Sequence, residues 1–410
     1  MSEQNKSTPL HSWHVAQGAN MAAFGGYSMP LWYSSAKNEH LAVLTQAGLF
    51  DTSHMATVCI QGAQARALLQ DTFSRDLESC VGQKRAPLSI GRMVYGVFLN
   101  EMGHVLDDAI VSQLAEDAYM IVVNAGMGPD IAAHLHSNSR GRDGEITDLT
   151  DQLGKIDVQG PQSAKIIQAL LQDPEQILTH MPYFSFDGDV HFDASQVRLT
   201  DQTPVLLARS GYTGEFGFEL FLPADRLVRV WELLLQAGQD FGLTPCGLAA
   251  RDSLRAGAML PLSHQDIGDW PFVRTPWDFA LPWAAEGQGF SKDFLGAEAL
   301  LAALQEPWQT IAFVGKDLRK VSTGPESEVH NAKGQDIGRI LTCVTDVGIG
   351  WQGEQILSVA SPQAPQDFRP RGLACGFARI NQALQPGEGI TLKDKRRSLA
   401  ATVVADIRPD

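Results

Sequence analysis

Nothing in this chain approaches the roughly 18 consecutive apolar residues that a membrane-spanning helix needs, and residues 1–13 hold no apolar run of the signal-peptide kind. Membrane insertion and secretion are therefore not expected, and a cytoplasmic location is. Cysteine is sparse: the five residues Cys59, Cys80, Cys246, Cys343 and Cys375 are odd in number and form no C-x-x-C pair, which argues against a zinc ribbon or a redox pair. Positive charge is in deficit, with 32 Lys and Arg against 47 Asp and Glu and a formal net charge of -15. That sign disfavours nucleic acid or anionic lipid as a main partner. A Walker loop, a G-x-G-x-x-G after a strand and a G-x-S-x-G elbow are all missing, against nucleotide-binding and serine-hydrolase chemistry. The pairs His11/His14 and His134/His136 lack a third ligand, so no metal centre is expected.

What is present is an ordinary globular composition, 44% hydrophobic and 19% charged over 410 residues, enough for two or three packed domains. Residues 94–99, 105–114 and 119–124 read as an antiparallel meander, with turns at Asn100–Gly103 and near Glu116 and Asp117. Leu227, Val230, Trp231, Leu234 and Leu235 recur at helical spacing, with Gly238 as a stop, and a second helix spans about 247–258. Blocks of strands and helices without βαβ alternation predict an α+β fold. Beyond about Pro307 short strands at 310–314, 337–344, 373–380 and 400–407, separated by Gly-, Pro- and Asp-rich turns, predict a small C-terminal β-barrel or sandwich. Residues 348–370, rich in Pro and Gln, read as an exposed loop insertion.

Three clusters carry chemistry. In Leu106-Asp107-Asp108-Ala109-Ile110 two carboxylates interrupt an apolar strand, and alternation puts Asp108 on the face of Leu106 and Ile110 while Asp107 faces the other way. A carboxylate among apolar neighbours costs several kcal/mol unless paired or neutralised, and burial moves its pKa toward proton-transfer range. The structural alternative is an Asp that ties off a neighbouring backbone. In Arg209-Ser-Gly-Tyr-Thr-Gly-Glu-Phe-Gly-Phe-Glu219, Gly211, Gly214 and Gly217 permit tight turning and close approach to a ligand. Tyr212 offers a plane and Glu219 a carboxylate suited to the amino-pyrimidinone edge of a pterin; a turn followed by an edge strand is the alternative. In the helix opened by Pro245-Cys-Gly, Asp252 is placed to pair with Arg255, leaving Arg251 the freer guanidinium for a ligand or for solvent.

Together these segments resemble the glycine cleavage T-protein family, and the likeness runs colinearly over residues 9–300. It includes Pro9-Leu-His-Ser-Trp-His14, Phe24-Gly-Gly-Tyr-Ser-Met-Pro30, Glu39-His-Leu-Ala-Val43 and Ala47-Gly-Leu-Phe-Asp-Thr-Ser-His-Met55. It continues through Leu106-Asp-Asp108, Val122-Val-Asn-Ala125, Val158-Gln-Gly-Pro161, the Tyr-Thr-Gly-Glu segment, Cys246-Gly-Leu, Ala250-Arg-Asp252 and Asp293-Phe-Leu-Gly296. The resemblance implies a folate-binding region, residues 1–305, built as two subdomains around a central opening, and a C-terminal β-barrel domain, residues 306–410. It implies an aminomethyltransferase that passes the one-carbon unit from the aminomethyl-lipoyl H-protein to tetrahydrofolate with release of ammonia. Carried over by position, Asp108 resembles the catalytic carboxylate. Tyr212, Glu219 and Arg251 match folate contacts, and Asn124, Tyr95 and Met55 match residues lining the same pocket.

This chain departs from the family pattern at Gly257, where a carboxylate is usual, at Leu44 and Ala297, where a basic residue is usual, at residues 341–345, and in the 348–370 insertion. Two other readings keep the folate site. One is a demethylase acting on a small methylated amine, sulfonium or methoxy compound, with aromatics around Trp270, Phe272 and Trp277 caging a cationic donor. The other is a non-catalytic folate-binding protein assisting iron-sulfur protein maintenance.

Overall fold

The computed structural model of the chain describes residues 5–409 except 143, 194, 286 and 288. Two antiparallel arrays dominate the first three hundred residues. The five-stranded sheet runs in the order Met93–Leu99, Val105–Ala115, Ala118–Val123, Ala56–Gln61, Glu145–Asp148. Its first three strands are the expected meander, with bounds shifted by a residue or so. Phe98, Ala109, Val111, Tyr119, Ile121 and Val123 cluster on one face with the helices Ala65–Thr72 and Gly128–Ser137.

The six-stranded sheet orders Ser185–Asp187, Leu206–Arg209, Gly217–Pro223, Leu153–Gln159, Ala47–Asp51 and Leu243–Pro245, only the last pairing being parallel. Period-two alternation sends Ile156, Val158, Leu220 and Leu222 to the face packed by Val230, Trp231 and Leu234 of the helix Leu227–Ala237. Trp231 is fully buried, so the apolar stripe read from sequence is core, each such side chain contributing about 1.5–3 kcal/mol. The other faces of the two sheets meet through Met93, Met120 and Val122 on one side and Phe186, Leu206 and Phe221 on the other. Charged residues appear where these facing surfaces separate.

In the C-terminal region a closed six-stranded antiparallel barrel orders Gln309–Gly315, Leu373–Ile380, Asp336–Asp346, Glu328–His330, Gly389–Lys393 and Ser398–Val404. Together the sheets, helices and barrel make the α+β fold expected. Two details of the barrel differ from the sequence reading. The last strand stops at Val404 rather than 407, because Ile407 leaves the barrel and is buried beside Trp277 and Phe377. The 348–370 segment is not an exposed loop throughout: Ile349–Gln352 and Gln355–Ser358 form a hairpin, Ile349 and Ile356 are buried in the core, and the Trp351 indole N–H donates to the Gly315 carbonyl at 2.9 Å. Its Pro/Gln composition hid two short alternating runs.

The departures Leu44 and Gly257 meet the barrel at one place. Leu44 is buried where a Cβ on Gly348 would approach its Cδ1 to 2.1 Å. A Cβ on Gly257 would lie 2.1 Å from Asp346 Oδ2, so the barrel supplies a carboxylate close to where the helix has lost one. Asp346 is held by His40 Nε2 at 2.8 Å, Arg408 Nη1 at 2.9 Å and the Gly348 amide at 2.8 Å. The Arg408 guanidinium also donates to the Thr213 and Leu254 carbonyls.

Candidate active site

A cavity of about 1120 Å³ opens between the two sheets, the helix Leu248–Gly257 and the edge of the barrel. Met55, Tyr95, Asp108, Asn124, Tyr212, Glu219 and Arg251, drawn from segments far apart in sequence, all line it. Three anchored elements build the first wall. Ile110 lies opposite Val122 in the meander, which carries Asn124 across from Asp108, and Tyr95 sits one diagonal away on the neighbouring strand, where Val97 opposes Asp108. The Tyr95 hydroxyl donates to Asp108 Oδ2 at 3.0 Å, and Asn124 Nδ2 donates to Asp108 Oδ1 at 2.6 Å.

Asp107 plays the structural part on the opposite face. It is fully buried, and it accepts from the Asn124 backbone N–H and Nδ2, both at 2.8 Å. One amide therefore ties two carboxylates together. Burial, and next the Asp107 charge, push Asp108 up from 3.8 to about 7 against the Tyr95 and Asn124 hydrogen bonds. At neutral pH its proton can go either way, as a group that takes and returns protons requires. Burial and then the Asp108 charge drive the Tyr95 phenol well above its ordinary range, so it stays a donor.

The second wall is a charge lattice that sequence reasoning missed. Lys155 Nζ contacts Asp157 Oδ1 at 2.6 Å and also pairs with Glu219 Oε1. Thr52 Oγ1 donates to Asp157 at 2.7 Å, and Ser210 donates to Glu219 Oε2. Burial alone would raise Asp157, but the Lys155 and Arg251 charges outweigh it and hold the carboxyl below its usual range. A signal was available, since Lys155-Ile-Asp157 in an otherwise apolar strand places both charges on one face, the argument applied to Asp107 and Asp108.

Three expectations change in detail. Arg251 is not the freer guanidinium: its Nη1 donates to Asp157 Oδ2 at 3.0 Å, and its Cζ lies 4.8 Å from the Tyr212 ring centroid. Asp252 does pair with Arg255, at 2.8 Å, but Arg255 is also gripped by Asp266. Gly211 and Gly217 make room for the Gln159 amide, whose Oε1 would lie 2.0 and 2.1 Å from their added Cβ atoms. Nor do Trp270 and Phe272 cage anything at this site. Phe272 is 1% exposed in the core, and Trp270 stands against Arg339 and Arg379. Trp277 alone of the three lines the cavity, its indole N–H bonded to the Met259 carbonyl at 2.6 Å.

His54, buried at the cavity wall, has an Nδ1 without a partner. Burial and then Arg251 lower it to about 4, so the ring is neutral. The fold and the site are those of an enzyme: a large cavity with one carboxylate poised for proton movement and a wall of fixed charges opposite it.

The family model described as the GCVT N-terminal domain matches residues 10–287. An aminomethyltransferase of Staphylococcus saprophyticus is 31% identical over 408 residues, covering 98% of each chain. One from Symbiobacterium thermophilum is 35% identical over 346 residues, 83% of this chain and 86% of that one. The crystal structure of glycine cleavage system aminomethyltransferase T from Bartonella henselae superposes with a TM-score of 0.76 at 27% identity, covering 98% of this chain and 97% of the other. This chain belongs to the glycine cleavage T-protein, or aminomethyltransferase, family.

Proposed function

We propose that this chain passes the one-carbon unit of an aminomethyl group, carried on the lipoyl arm of an H-protein, to tetrahydrofolate in the cytoplasm, with release of ammonia. In this reading residues 1–305 form the folate-binding region and residues 306–410 the barrel domain beside it. The observation that carries it is Asp108, poised near neutrality at the wall of a cavity large enough for a folate. The residues present suit that group. Glu219, which lines the cavity, keeps lone pairs beyond those engaged by Lys155 and Ser210, so it can accept from the N–H edge of a pterin.

Tetrahydrofolate, when bound, supplies the nitrogen that takes the carbon. Asp108 then holds or yields a proton at its carboxylate beside that nitrogen, and its ionised form stabilises positive charge developing there. Tyr95 and Asn124 fix both of its oxygens, so little reorganisation accompanies the step. Tyr212, braced by Arg251 and by its bond to the Pro261 carbonyl, gives a flat surface for a ring. The apolar parts of the wall, Met55, Ile110 and Phe221 among them, keep water from the reacting carbon.

The test is to incubate the protein with tetrahydrofolate and aminomethylated H-protein, following ammonia and methylenetetrahydrofolate, beside a panel of methylated amines, sulfonium and methoxy donors. Ammonia release with the H-protein alone supports the proposal. Turnover only with small methyl donors would replace the carbon donor, and folate binding without turnover by any of them would make the protein a binder.

A further inference from the structure

Away from the cavity, the outer face of the barrel sets two arginines directly opposite each other. Arg339 pairs in register with Arg379 on the adjacent strand, and Thr310 lies in register on the other side of Arg379. Directly opposed residues in antiparallel strands project to one face, so both guanidiniums and the hydroxyl form a row. Like charges so placed repel, and no carboxylate among the described residues is hydrogen-bonded or ion-paired to either. Arg379 is only 9% exposed, yet its Nη1 is buried without a partner, as are Thr310 Oγ1 and Trp270 Nε1. None of these residues lines the large cavity.

Indole rings flank the charges. Arg379 Cζ lies 5.0 Å from the Trp270 ring centroid and 5.6 Å from that of Trp308, and Arg339 Cζ lies 5.4 Å from Trp270. Burial and then the Arg339 charge bring Arg379 down to about 10, with Glu306 pulling weakly the other way. A guanidinium flanked by rings takes a partner at its N–H edge, where its planar fork matches an oxyanion. A buried donor left without an acceptor is destabilising, and three of them, Arg379 Nη1, Thr310 Oγ1 and Trp270 Nε1, gather here beside two opposed like charges.

We propose that Arg339, Arg379, Thr310 and Trp270 form a binding site for a small oxyanion, a phosphate or a carboxylate, on the outer face of the barrel. One such group neutralises the opposed charges and accepts from the buried donors, while Arg339 and Trp308, both exposed, leave a path to solvent.

The full-length protein is titrated by calorimetry with sodium phosphate and, separately, with sodium glutamate, chloride holding the ionic strength constant. Saturable binding of either anion at one site per chain is expected, and the arm that binds identifies the oxyanion. Arg339→Ser, a change at an exposed position, is expected to weaken that binding about tenfold or more, and Arg379→Met to abolish it. If neither anion binds saturably, or Arg339→Ser binds as tightly as the parent, the proposal is overturned, whether or not Arg379→Met folds.

Discussion

Asp108→Asn separates the two costs that the fold places on one side chain. Asparagine keeps the size of the side chain and one oxygen for the Asn124 amide, and the Tyr95 hydroxyl can turn to accept from the new amide. It removes the titrating proton site. Loss of a positioned acid–base group lowers kcat about 100- to 10,000-fold, equivalent to about 3–5 kcal/mol of barrier, while folate affinity changes little. Stability moves the opposite way. Because burial raises Asp108 from 3.8 to about 7, the folded state binds its proton more tightly than the unfolded chain, and stability falls as pH rises from about 4, the penalty being complete above about 7. The difference corresponds to at most about 4 kcal/mol, and about 2 kcal/mol is expected once water in the cavity screens the charge. The variant should therefore melt higher than the parent at pH 8, and the two should converge near pH 4. Stopped-flow ammonia release, folate titration and scanning calorimetry across pH provide the assay. Turnover above a tenth of the parent's, or a variant less stable than the parent at pH 8, would refute the reasoning.

Parent turnover under saturating substrates should rise as pH increases through about 7 when deprotonation of Asp108 limits the rate, and a flat profile between pH 6 and 8 would count against that role. Lys155→Met leaves Asp157 and Glu219 without their shared cation and should cost about 3–5 kcal/mol in urea unfolding; a loss under 1 kcal/mol would mean that water enters this wall freely. Gly257→Ala drives a methyl group into Asp346 Oδ2 and should cost about 1–3 kcal/mol by the same measurement. Ile349→Asp buries an unpaired charge under the hairpin and should destabilise by about 3 kcal/mol or more, whereas an unaffected protein would mean that the hairpin is not seated on the core.

Much of this was legible in the chain because the decisive signals were local. Two adjacent carboxylates in an apolar strand needed only period-two alternation to be put on opposite faces, the family resemblance rather than the spacing singled out Asp108, and the helix around Trp231 announced its buried stripe by spacing alone. What escaped depends on partners far away in sequence. Arg251 looked free because Asp157, which takes its Nη1, lies 94 residues earlier. The glycines around Tyr212 suggested room for a ligand because the Gln159 side chain that fills that room sits on another strand. Ile349 and Ile356 were lost in a Pro/Gln-rich background too short to show a period. The left-handed backbone at Met259 and His264, with φ of 59° and 63°, had no signature, since methionine does not favour that conformation and histidine, though enriched there, adopts it in only a small minority of cases.

The guanidinium of Arg408 reaches back 195 residues to the carbonyl beside Tyr212. During synthesis the Thr213 carbonyl next to this aromatic platform is thus left without its Arg408 donor until the residues beyond the final barrel strand have cleared the ribosome. An emerging chain has both sheets long before it has a finished binding pocket, and folate added to a stalled intermediate lacking residue 408 should find a looser seat than in the released protein.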